Sequence, residues 1–102
     1  MVLIYTTCKN TEEAVKIGKI ILDKKLASCV NIWPIQSMYY WDGKLENHLE
    51  SGMLIKTVEH HLSEIEELVE KNHSYATPYI GAIEVRRFNR AYREWMSSVV
   101  KP

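Results

Sequence analysis

The dipeptide Asp42-Gly43 constrains this chain more than any other feature. It separates two long strand-like runs, CVNIWPIQSMYYW and KLENHLESGMLIKT, and Asp-Gly suits a two-residue type I′ turn because both central positions need positive φ. Ser28 to Thr57 therefore reads as one antiparallel hairpin. At about 14 residues per strand and roughly 3.3 Å each, it would extend on the order of 45 Å. A compact chain of this size has a radius of gyration of only about 13 Å. Such a hairpin must bend or reach beyond its own subunit.

Counting outward from the turn pairs Trp41 with Lys44, Tyr39 with Glu46, Trp33 with Gly52 and Cys29 with Lys56. Pro34 cannot donate to a ladder and Gly52 weakens a strand, and they fall almost opposite one another, so a kink is expected there. One side of the first strand carries Cys29, Trp33, Ile35, Tyr39 and Trp41; the other carries Val30, Ile32, Met38 and Tyr40. Both sides are apolar, yet a small domain has one core to cover one of them. The remaining side is expected to meet another copy of the chain.

The rest of the sequence supplies the frame. VLIYTTC, residues 2 to 8, is β-branched and aromatic enough for a central strand. Asn10 and Glu13 have capping-box spacing, and Ala14, Ile17, Gly18, Ile21, Leu22 and Leu26 recur at helical intervals, predicting a helix from about 11 to 26. After the hairpin, Val58, Leu62, Ile65 and Val69 repeat at threes and fours among glutamates, predicting a second amphipathic helix over about 59 to 71. Asn72 to Tyr79 breaks the periodicity and contains Pro78, which marks a loop. Tyr79 to Phe88 reads as a fourth strand. Asn89 then caps a short last helix with Tyr92, Trp95, Met96 and Val99 as its apolar stripe. The order β, α, β, β, α, β with an extra C-terminal helix is that of a ferredoxin-like α+β fold.

With 102 residues, a single domain spanning 1–102 is expected. Thirteen basic and thirteen acidic residues leave a formal net charge of zero, without the basic block that would draw in nucleic acid. The aromatic residues of the hairpin therefore read as packing rather than as a base-stacking platform. No run approaches the ~20 apolar residues of a membrane span, and a soluble, cytoplasmic chain is expected. Cys8 and Cys29 read as buried free thiols. No C-x-x-C, H-E-x-x-H, G-x-S-x-G or phosphate-binding glycine loop occurs, so enzymatic activity is not expected. His48, His60 and His61 read as surface residues, the last two pointing about 100° apart on a helix.

Several segments together resemble the CutA family of divalent-cation tolerance proteins: KKLASCVNIWP, SMYYWDGKLE, LIKT at 54 to 57, and HSYATP at 73 to 78. The resemblance covers essentially the whole chain in order. It implies a PII-like homotrimer assembled through the hairpin strands, with Trp33, Tyr39, Tyr40, Trp41 and Met53 at the trimer interface. It also implies a role in metal tolerance, with copper or zinc as the candidate ion.

Three residues are the metal candidates that the resemblance brings forward, expected to converge in clefts between subunits. Cys29 aligns with the cysteine of the family's A-x-C-V-N segment and as a thiolate suits a soft ion; a buried small residue on a central strand is the alternative. His73 aligns with the histidine of an H-P-Y loop, where an imidazole presents a nitrogen or simply ties the loop. Glu50 aligns with an acidic position on the third strand. Lys56 and Tyr75 are expected in an inter-subunit cleft, and an ion pair or subunit contact accounts equally for Glu50 and Lys56. Ser74, Ala76 and Tyr79 depart from the family's proline, polar or acidic residue, and glutamate. The second reading is a PII-like signalling or scaffold trimer that binds a small anion or a partner protein.

Overall fold

The computed structural model describes residues 1–102. Its elements are β1 (Val2–Cys8), α1 (Thr11–Asp23), β2 (Cys29–Trp41), β3 (Lys44–Thr57), a 3-10 turn (Glu59–His61), α2 (Leu62–Asn72), β4 (Ile80–Glu84) and α3 (Arg90–Val99). The four strands form one antiparallel sheet in the order β2-β3-β1-β4, the ferredoxin-like arrangement.

The hairpin has the register that the turn dictates. Asp42 and Gly43 both have positive φ, 52° and 75°, and pairing runs unbroken from Trp41↔Lys44 to Cys29↔Lys56. No bulge interrupts it at Pro34, which pairs with Ser51; β2 is an edge strand, where a missing N–H is tolerated. Gly52 has a different reason to be glycine. A Cβ there would lie 3.0 Å from the Trp33 ring, so the bare backbone makes room for that indole. The molecule spans 47 × 25 × 20 Å, its long axis matching the length of the extended hairpin.

The α1 helix starts with the predicted cap, Asn10 Oδ1 accepting from the Glu13 N–H at 2.9 Å. It ends at Asp23, earlier than its apolar stripe suggests, because Lys25 turns left-handed (φ 57°). The Leu26 N–H then bonds to Ile21 O and the Lys25 N–H to Leu22 O, the paired bonds of a Schellman stop. That stop drops Leu26 into the core. The core lies between the sheet and the two helices: Ile4, Cys8, Met53 and Ile55 from the strands, Ala14, Ile17 and Ile21 from α1, Ile65 and Val69 from α2.

Four further expectations need correction. Met53 is fully buried in its own subunit, on the face paired with Ile32 and Thr6, and is not at a trimer interface. Cys29 sits on the edge strand, half-buried rather than enclosed. His61 is buried, its Nε2–H donating to Lys101 O at 2.7 Å, because the tail after α3 folds back over the 3-10 turn. Finally, β4 stops at Glu84 instead of Phe88, since its only ladder partner, β1, runs out at Val2.

Candidate metal centre at the loop after α2

The sheet has an outer face that the helices leave uncovered. Tyr5, Trp33 and Tyr79 form an aromatic row on it, with ring centroids 6.1 and 6.2 Å apart. Along the hairpin arm Tyr39, Tyr40 and Trp41 are exposed, as are Met38, Leu45 and Leu49 on the same arm.

The residues singled out from sequence fall at two distant places within the chain. Cys29 pairs with Lys56, whereas Glu50 lies six positions back along β3, on the order of 20 Å away. Cys29 therefore does not meet Glu50 or His73 within one chain. Lys56 lies beneath α3, its ammonium 5.3 Å from the Tyr92 ring centroid. Tyr75 lies at the other end, its hydroxyl donating to Glu50 Oε2. Lys56 and Tyr75 thus do not share a cleft within the chain.

Around His73 the loop is tied down by five polar contacts. The His73 Nε2–H donates to Thr7 O at 2.7 Å, and Nδ1 accepts from the Tyr75 N–H at 3.0 Å. These partners fix a neutral ring with its proton on Nε2. The Ser74 N–H donates to Glu13 Oε2 at 3.0 Å, and the Lys9 N–H to Oε1 at 3.2 Å. Tyr75 completes the set through Glu50, which is buried under it. Burial, followed by the hydrogen bond to Glu50, pushes the Tyr75 phenol up.

A second arrangement emerges from the same residues. One donor atom each from Cys8, Glu13 and His73 lie within 4.8 Å of one another, and His73 Nδ1 is 3.8 Å from Glu13 Oε1. The His73 side chain is fully buried and that of Glu13 is 9% exposed. Cys8 Sγ lies 3.5 Å from Met53 Sδ. Burial, then the carboxylates of Glu13 and Glu50, push its thiol up to about 12, so it is held protonated at neutral pH. Sequence reasoning read Cys8 as a core thiol and Glu13 as a helix cap. The strand-to-helix turn brings those two together, but nothing local announces that a histidine 65 positions after Cys8 packs against them.

Burial raises the Glu13 carboxyl, but the hydrogen bonds it accepts from Ser74 and Lys9 outweigh that and hold Glu13 below its ordinary value of 4.5. A carboxyl depressed in the folded state contributes stability that is present above its unfolded pKa and lost as pH falls through the folded one. The expected result is an acid-side loss of stability beginning near pH 4.5, smaller in Glu13→Gln than in the parent when urea midpoints are compared across pH.

Comparison with known proteins is consistent along the full length. A family model described as CutA1 divalent ion tolerance protein matches residues 2–99. The divalent-cation tolerance protein CutA of Archaeoglobus fulgidus is 42% identical over 98 residues, 96% of either chain. A solved structure described as the periplasmic divalent cation tolerance protein CutA from the same organism matches with a TM-score of 0.94 at 41% identity, covering 99% of this chain and 100% of that one. The crystal structure of CutA1 from Pyrococcus horikoshii gives a TM-score of 0.95 at 32% identity, covering all of both chains. No helix of the present chain is long and apolar enough to cross a membrane.

Proposed function

The chain belongs to the CutA1 divalent ion tolerance family, and from that premise we propose that it acts in the cytoplasm as a homotrimer that takes up a soft or borderline metal ion, copper or zinc. The observation that carries this reading is the buried group of Cys8, Glu13 and His73, which offers a thiol, a carboxylate and an imidazole in one place. Thiolate and imidazole donors suit zinc and copper, whereas magnesium and calcium prefer oxygen ligands throughout. The trimer is supported by the apolar hairpin arm, whose Tyr40, Trp41 and Leu49 are left mostly exposed by their own chain.

Calorimetric titration of the demetallated protein with Cu(I), Cu(II) and Zn(II), after light scattering has fixed the assembly, tests the proposal. Saturation near one ion per chain and a mass near three times 11.9 kDa are the expected results. Binding no tighter than that of exposed histidines would remove the metal reading, and a monomer at micromolar concentration would remove the trimer.

A PII-like signalling or scaffold role is favoured by one observation. Lys56 borders a cavity of about 260 Å³ lined by Met1, Leu3, Val85, Phe88 and Tyr92, and no carboxylate lies within 4 Å of its ammonium. Small apolar carboxylates titrated in the same calorimeter would give saturable heat if this reading holds, since a cation that has an aromatic face but no carboxylate beside it, at an apolar cavity, favours an organic anion.

A further inference from the structure

Metal uptake at the loop cannot be simple addition, because both ring nitrogens of His73 are already in use. The two are not equivalent. Nε2–H points to Thr7 O, and a backbone carbonyl is the usual orienting partner for the far nitrogen of a metal-bound histidine. Nδ1 faces Glu13 and gives its lone pair to the Tyr75 N–H. A cation can replace that N–H while the Thr7 bond stays in place.

Resting on the metal-binding reading, we propose that a zinc-class divalent cation binds Cys8 Sγ, Glu13 and His73 Nδ1, and that its arrival releases the 73–77 loop by displacing the Tyr75 N–H from the imidazole. The site is thus a latch as well as a ligand set.

The geometry fits with a modest contraction. Donors at about 2.0–2.3 Å from a tetrahedral zinc lie about 3.3–3.8 Å apart, against separations within 4.8 Å here. Closing that gap draws His73 and Glu13 toward Cys8. The Glu13 oxygens now held by the Ser74 and Lys9 N–H groups must share or give up those bonds. Cys8 loses its proton to solvent as the sulfur–metal bond forms, and its S–H contact to Met53 Sδ is given up. No electron is transferred, and the ion keeps its charge. Tyr75 loses its anchor to the imidazole, so its hydroxyl bond to Glu50 becomes the last tie on that part of the loop. Release there would uncover the buried Glu50 carboxylate on the outer face.

Co2+ serves as the probe because a thiolate ligand announces itself by a near-ultraviolet charge-transfer band. The assembled wild-type protein is expected to take up Co2+ saturably with that band, and amide exchange at Ser74 and Tyr75 is expected to accelerate on saturation. Cys8→Ser should abolish the band, and Glu13→Gln should weaken Co2+ binding about tenfold or more. Cys29→Ser, on the order of 20 Å along the sheet, should retain the band. Circular dichroism establishes that each variant is folded; if Cys8→Ser is not, Glu13→Gln and the exchange measurement carry the test. Saturable uptake without a sulfur band, or with a band lost in Cys29→Ser, overturns this site while metal binding stands. Uptake with unchanged exchange at Tyr75 overturns the latch. Absence of saturable uptake of any ion overturns both the site and the metal reading beneath it.

Discussion

Met53→Ala is expected to lower the free energy of unfolding by about 2–5 kcal/mol, the range for truncating a fully buried methionine. Met53 is 0% exposed in the second half of β3, between Ile32 on one neighbouring strand and Thr6 on the other. Its sulfur contacts the Cys8 thiol, and its Cε is 3.7 Å from where a Cβ on Gly18 of α1 would stand. Truncation would leave a cavity walled by two strands and a helix, which regular backbone cannot collapse to fill. Urea denaturation at several protein concentrations separates this from an interface effect. A core defect lowers stability at every concentration and leaves the assembly intact, whereas loss of a subunit contact shows as dissociation of the assembly on dilution. Tyr40→Ala, at a side chain 74% exposed on the hairpin arm, should behave in the second way if that arm joins subunits. A Met53→Ala loss below about 0.5 kcal/mol, the scale of ordinary surface substitutions, would show that Met53 is not the keystone its burial implies.

The contrast between Met53 and the rest of the hairpin shows what the sequence made legible. Asp42-Gly43 fixes the register, and every pair counted from it is present, because a two-residue turn leaves the ladder no freedom to slip. Parity alone, however, says only that Met53 and Ile32 share a face. Both faces of the hairpin are apolar, so the pattern does not tell which one meets the helices, and Met53, expected at the trimer interface, lies on the face the helices cover. The ends of α1 and β4 depended on a left-handed lysine and on the length of β1, neither of which periodicity reports. The loop was harder still. His73 was legible as a residue of interest, but its partners Thr7 and Glu13 are more than 50 positions away. Cys29, Glu50 and His73 are each close to apolar or polar groups of the right kind locally; only the strand register separates Cys29 from the other two.

His73→Ala is expected to destabilise the protein by about 2–4 kcal/mol, and to do so mainly through the loop. Deleting the ring removes two hydrogen bonds, each worth about 0.5–1.5 kcal/mol, and leaves partly buried groups, the Thr7 carbonyl and the Tyr75 N–H, to find water or go unpaired at about 1–3 kcal/mol each. The upper end of that sum is not reached, because a freed loop can move to let water in. That movement is itself measurable: amide exchange at Ser74 and Tyr75 should rise, while exchange at Ile4 and Ile55 in the central strands should fall in protection only as far as global stability does. His73→Gln separates the two bonds. Its amide can still donate toward Thr7 O, but it does not reproduce Nδ1 as the acceptor for Tyr75, so an intermediate loss with a fast-exchanging Tyr75 is expected. Equal losses in His73→Ala and His73→Gln would mean that the contact with Tyr75 dominates. A His73→Ala protein as stable as the parent, with Tyr75 still protected, would show that Glu13 and Glu50 hold the loop without the imidazole, and that a cation taking Nδ1 would have nothing to release.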